Sequence, residues 1–191
     1  MSKQFKFVKT PIPKLVRLER KIIVDDRGYL SRLYCAEDFK EVGINKSIAQ
    51  INHTLTRKKG TIRGMHFQYP PHSETKIVTC IQGEVYDVAV DLRKGSPTFL
   101  HWHAEILRAN DSSALFIPDG FAHGFQTMTS DCQLLYFHTD FYTPHKEGAV
   151  NAFDPLLKID WPLKVADISE RDRNHSFINI EFEGIQSSII Q

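Results

Sequence analysis

The stretch densest in chemistry-bearing residues is Arg63-Gly64-Met65-His66-Phe67-Gln68, followed downstream by Lys76. An imidazole titrates near neutrality and can take a proton at pH 7. Arginine offers a fork of donors matched to phosphate, and lysine a fixed positive charge. Glycine beside the histidine permits close backbone approach. Together these residues suit abstraction of a proton beside a carbonyl in a phosphorylated substrate. The same spacing also fits a strand end carrying an ordinary surface Arg and Lys.

Two further stretches place candidate groups. In Ile117-Pro118-Asp119-Gly120-Phe121-Ala122-His123-Gly124-Phe125 a proline-glycine turn delivers His123 between small neighbours. The alternative there is a buried histidine in a tight β-turn. In Leu134-Leu135-Tyr136-Phe137-His138-Thr139-Asp140-Phe141-Tyr142, strand alternation puts Tyr136, His138 and Asp140 on one face. A buried phenol needs a partner or a task, and the plain alternative is a packing tyrosine. His101-Trp102-His103 sets two histidines at the spacing of a β-barrel metal site, with Glu105 close behind. The other reading is exposed strand histidines.

Strands must position these groups. Residues 21–24 run through the turn Asp25-Asp26-Arg27-Gly28 into Tyr29-Leu30. Residues 75–80, 85–91, 99–107, 113–117 and 134–139 read as further strands. The alternation over 85–91 predicts one buried face. Gly- and Pro-containing turns separate these runs, so the pattern predicts an all-β sandwich or small barrel. Residues 35–42 predict a short helix ending near Gly43. A helical turn is predicted over residues 169–174, with Ser169 capping and Asp172 in the first turn. Residues 184–191 are expected to fray or to pack elsewhere.

The 191 residues suit one domain over the whole chain, 1–191. With 41% hydrophobic and 25% charged residues, the composition is that of a globular protein with a real core. A net charge of +1 argues against a nucleic-acid partner but leaves room for a small anionic ligand. Cys35, Cys80 and Cys132 are widely spaced and odd in number, which fits free thiols in a reducing compartment. The first residues lack an apolar signal core, and no apolar run approaches a membrane helix. A cytoplasmic protein without a membrane partner is expected.

These segments together resemble the dTDP-4-dehydrorhamnose 3,5-epimerase family, from about Ile22 to Asp172. The resemblance also rests on Gln50-Ile51-Asn52-His53, on residues 76–80 and 83–93, on Ser96-Pro97-Thr98-Phe99, and on Asp154-Pro155 and Ile159-Asp160-Trp161-Pro162. It implies a cupin-like jelly-roll barrel with few short helices, a homodimer whose N-terminal strands cross to the partner, and a nucleotide-sugar substrate. The implied activity is inversion of C3 and C5 of a nucleotide-linked 4-keto-6-deoxyhexose, with no metal and no cofactor. His66 matches the family's general base and Asp172 the carboxylate that orients it. Lys76 matches the residue that stabilises the enolate oxygen, and Tyr136 the acid on the opposite face of the sugar. Arg27, Gln50, Asn52, Arg63 and His123 match positions around the phosphates and sugar, and Tyr142 a second site tyrosine.

The sequence also departs from the family. Leu30 and Arg32 stand where an aromatic and an acid commonly lie near the nucleotide base, and Ala152-Phe153 replaces Trp-Asn. These changes leave the base unassigned. A single-carbon epimerase on a dTDP-, CDP- or GDP-ketosugar is the first alternative. A metal-dependent cupin oxygenase using His101 and His103 is the second, and a non-catalytic sugar-nucleotide binding module the third. The intact set His66, Lys76 and Tyr136 favours catalysis with full inversion.

Overall fold

The structure is a computed structural model that describes residues 4–44 and 46–187. Its strands are β1 (Phe5–Lys9), β2 (Val16–Arg20), β3 (Ile22–Asp25), β4 (Gly28–Ser31), β5 (Gln50–Thr56), β6 (Thr61–Gln68) and β7 (Lys76–Gln82). They continue with β8 (Glu84–Asp91), β9 (Trp102–Arg108), β10 (Ser113–Ile117), β11 (Phe121–Thr127), β12 (Cys132–His138), β13 (Glu147–Ala149) and β14 (Asp167–Ile168). The helices α1 (Ala36–Phe39) and α2 (Glu170–Arg173) are single turns.

One sheet has the order β1-β2-β10-β7-β12-β5, and a second the order β13-β6-β11-β8-β9. Strand β14 runs parallel beside β6, while the other pairings are antiparallel. The two sheets close face to face into a cupin-like jelly roll. Val78, Leu115 and Leu134 from the first sheet meet Val85, Ala89, Leu107 and Phe125 from the second. Each large apolar side chain buried there contributes roughly 1.5–3 kcal/mol. The β3–β4 hairpin stands apart as its own two-stranded sheet.

Most predicted strands are present, and the differences have local causes. The run expected from residue 99 starts only at Trp102. Before it, Leu100 has a φ of 63° and the amides of Phe99 and His101 close turns onto Ser96 and Thr98. The expected single buried face of residues 85–91 becomes burial on both faces beyond Tyr86. Asp87 and Asp91 tolerate this because each has a partner. Asp87 meets His123, and Asp91 binds Arg93 through both carboxylate oxygens. Both predicted helical turns form. The first continues as a 3-10 turn over Lys40–Val42 and ends at Gly43, whose φ is 91°. In the second, the Asp172 amide donates to Ser169 Oγ at 3.0 Å.

Over its described residues, up to Ser187, the tail packs against the barrel. Ile185 is buried, and its amide and carbonyl bond with Leu92 and Lys94. The rest of the segment expected to fray, 188–191, lies outside the described residues.

Candidate active site

A cavity of about 550 Å³ opens between the sheets. The second sheet contributes His66 from β6 and His123 from β11, which are direct cross-strand partners. The first contributes Asn52 from β5, Lys76 from β7, and Tyr136 and His138 from β12. Asp172 closes the site from α2. The predicted base and acid therefore stand on opposing sheets.

A glycine pair makes this approach possible. Gly64 has a φ of 124°, and a Cβ there would lie 2.5 Å from Gly124 Cα. A Cβ on Gly124 would lie 2.7 Å from Arg63 O. From the sequence this room is expected to serve a ligand. The structure fills it with the two strand backbones, which pack glycine on glycine.

The His66 Nε2 edge is 2.9 Å from Asp172 Oδ1, and Asp172 Oδ2 accepts from the Gly64 amide at 3.1 Å. Burial opposes ionisation of Asp172. The hydrogen bond and charge of His66, together with the Gly64 amide, overcome it and lower the pKa to about 2. An ionised Asp172 accepts the Nε2 proton, so neutral His66 carries its lone pair on Nδ1. That nitrogen is the basic one, and Glu147 Oε1 lies 4.0 Å from it. Glu147 is held in turn by Arg171 and by Tyr142, whose hydroxyl donates at 2.8 Å.

Tyr136 is buried, its ring edge-on to His123 with centroids 5.8 Å apart. Burial, and then the charge of Asp87, raise the phenol's pKa well above its ordinary value. The phenol therefore keeps its proton at neutral pH, as an acid must. Lys76 is buried as well. Its Nζ donates to His66 O at 3.3 Å and pairs with Glu74 Oε1 at 3.2 Å. His123 is fixed by Asp87 at 2.8 Å. Arg63 is the exposed residue of β6 that lines the cavity.

Not every predicted residue reaches the cavity. Arg27 sits in the β3–β4 turn, 89% exposed and paired with Asp25. Gln50 lies on β5 outside the cavity wall, accepting from the Tyr142 amide at 2.9 Å. Tyr142 is half-exposed beside it. Asp140 falls past the end of β12 and contacts His72 instead of sharing the face of Tyr136. Leu30 and Arg32 are exposed on and beside the hairpin.

Sequence reasoning gave no role to Asp87, Glu74, Glu147, Arg171 or His175. For Asp87 a signal existed, an acid alternating within an apolar strand. His175 sets its ring perpendicular to His66, with centroids 5.7 Å apart. Among the described residues, His66, Asp172 and His175 bring ligand-type atoms within 4.8 Å of one another. Asp172 in that group is already engaged by the imidazole and an amide. The His101/His103 pair does not form a comparable group. His101 precedes β9 and lies in a turn, while His103 Nε2 is 2.9 Å from Glu105 Oε1.

Comparison with known proteins agrees with this geometry. The sequence model of the dTDP-4-dehydrorhamnose 3,5-epimerase family matches residues 9–179. The dTDP-4-dehydrorhamnose 3,5-epimerase of Pseudomonas aeruginosa is 42% identical over 170 residues, 88% of this chain and 93% of that protein. The crystal structure of the Legionella pneumophila dTDP-6-deoxy-D-glucose-3,5-epimerase in complex with dTDP-4-keto-L-rhamnose superposes with a TM-score of 0.89. The two are 35% identical, with 96% of this chain and all of that chain covered. A 3'-monoepimerase from Streptomyces bikiniensis, in complex with dTDP-quinovose, has a TM-score of 0.81 at 31% identity, covering 88% of this chain and 85% of that one. By sequence and by fold, this chain belongs to the dTDP-4-dehydrorhamnose 3,5-epimerase family.

Proposed function

We propose that the chain inverts both C3 and C5 of a dTDP-4-keto-6-deoxyhexose, converting the 4-keto-6-deoxyglucose form to the 4-keto-rhamnose form. The carrying observation is the His66–Asp172 pair on one wall of a cavity whose opposite wall bears Tyr136 and Lys76. A hydrogen beside a ketone is weakly acidic, and its removal builds charge on the ketone oxygen. His66 Nδ1 takes the proton. The Lys76 ammonium stabilises the oxyanion, commonly the largest electrostatic contribution in such reactions. Tyr136 returns a proton to the other face, and that change of face is the inversion. Arg63 and His123 would hold the diphosphate and the sugar, so that binding energy remote from the reacting carbons orients them.

No step needs a metal or cofactor. Membership of a sugar-epimerase family and the turn position of His101 both count against the oxygenase reading. Among the described residues, no helix is long and apolar enough to cross a membrane. The free thiols, two of them buried, support a reducing cytoplasmic setting.

A homodimer accounts for Arg27 and its hairpin. Val24, Tyr29 and Leu30 are exposed there, as are Ile51 and Leu55 on β5, the edge of the first sheet. Such a patch marks an interaction surface. Crossing of the hairpin to a second copy would cover it and carry Arg27 to the partner's cavity.

Product analysis tests the reading. Incubation with dTDP-4-keto-6-deoxyglucose should give a sugar inverted at both carbons. Inversion at one carbon alone would establish the single-carbon reading instead, the activity named for the less similar Streptomyces bikiniensis neighbour.

A further inference from the structure

His138 takes no part in the mechanism above, yet its placement is that of a working residue. It lies on the cavity face of β12, two residues after Tyr136, and is buried. Its ring stacks with the phenol at 6.1 Å between centroids and 23° between planes. Its Nδ1 is 2.7 Å from Glu74 Oε2. The other oxygen of Glu74 pairs with Lys76, the direct cross-strand partner of His138. One buried carboxylate therefore holds both groups.

The protonation pattern follows from those contacts. Burial alone would raise the pKa of Glu74, but Lys76 and His138 outweigh it and hold the carboxylate below its ordinary value. An ionised Glu74 only accepts hydrogen bonds, so the proton resides on Nδ1 of His138. In the tautomer that donates to Glu74, the lone pair lies on Nε2. The near polar neighbour there is Asn52 Nδ2 at 3.5 Å, too long for a strong bond. An acceptor on a cavity wall, with only a weak protein donor, suits a hydroxyl of the ligand.

We propose that His138, oriented by Glu74, is a further substrate-contacting residue whose Nε2 accepts a hydrogen bond from a sugar hydroxyl. This rests on the sugar-nucleotide reading above. It makes Glu74–His138 a further histidine–carboxylate pair of the cavity beside His66–Asp172 and His123–Asp87, on the wall facing His66. His66–Asp172 removes the proton, and Glu74–His138 positions the sugar ring beside Tyr136 and Lys76.

The test compares affinities for dTDP-4-keto-6-deoxyglucose and for dTDP alone, in the wild type, His138→Phe and Glu74→Gln. The expected result for His138→Phe is a roughly 3- to 10-fold weaker sugar nucleotide, the worth of one net hydrogen bond, with dTDP affinity unchanged. Glu74→Gln should show a smaller loss in the same direction. Equal weakening of both ligands, or of neither, overturns the proposal. A measurement on the wild type alone guards against misfolded variants. The ¹⁵N resonance of His138 Nε2 should move when the sugar nucleotide binds and stay in place with dTDP. No difference between the two ligands overturns the proposal as well. Failure of the epimerase reading would show separately, as absence of product from a wild type that still binds.

Discussion

Asp172 Oδ1 lies 2.9 Å from His66 Nε2, across 106 residues of chain. The contact joins a one-turn helix to strand β6, and in the proposed mechanism it decides which nitrogen of His66 is free to act as the base. Replacement of Asp172 by Asn keeps the shape but removes the charge that fixes the proton on Nε2. Asp172→Asn should lower kcat by about 10²–10⁴-fold, the usual share of a positioned base, with a much smaller effect on KM. Steady-state kinetics check this, and a change confined to KM would contradict it.

The same carboxylate links stability to pH. Its folded pKa, about 2, lies below the ordinary 3.8. The stabilisation is therefore complete above the ordinary value and is lost as pH falls through about 2. A shift of this size corresponds to on the order of 2 kcal/mol. Urea denaturation should show the wild type losing more stability than Asp172→Asn as pH falls from roughly 5 to 2. Parallel losses would contradict the assignment.

In the proposed mechanism Tyr136 serves the second face of the sugar. Tyr136→Phe should still allow proton removal, seen as solvent exchange, while net inversion falls by about 10²-fold. Unchanged product formation would remove Tyr136 from the mechanism. Its raised pKa adds a sign: loss of the phenolic proton should not limit activity until pH exceeds that of an ordinary tyrosine.

The hairpin patch predicts assembly. Val24 is 74% exposed on β3, and a carboxylate there would be buried without a partner in the dimer. Val24→Asp should shift the sedimentation coefficient from dimer to monomer and reduce activity, because Arg27 would no longer reach a second cavity. A monomeric wild type would contradict the crossing.

The reaction as drawn predicts activity that survives prolonged dialysis against a chelator, with no stoichiometric metal by elemental analysis. Activity lost to the chelator and restored by one metal would place an ion among His66, Asp172 and His175.

Much of this site was legible in the sequence because its pieces are local. The glycine-framed His66 and His123, and Tyr136 and His138 at strand period, lie within short stretches. The Ser169 cap fixes α2 within one turn and so places Asp172. The pairings between these stretches were not legible. The alternation marks Asp87 as a buried acid but does not name His123 as its partner, and Glu74, a loop residue before β7, meets His138 only because β7 and β12 pair. Strands β1, β2, β5, β6, β11, β13 and β14 carry no clear strand signal in the sequence. Their mixed polar and apolar residues are decided by neighbours distant in sequence. Arg27 has a recognisable motif, but a single chain gives it no cavity to line.

The most direct test of the central claim is proton NMR of dTDP-4-keto-6-deoxyglucose in heavy water with the wild type and with His66→Ala. The wild type should erase both the C3 and C5 proton signals. The variant should bind dTDP normally and leave both signals intact. Exchange by His66→Ala at the wild-type rate, or none by a wild type that binds the substrate, would contradict the account.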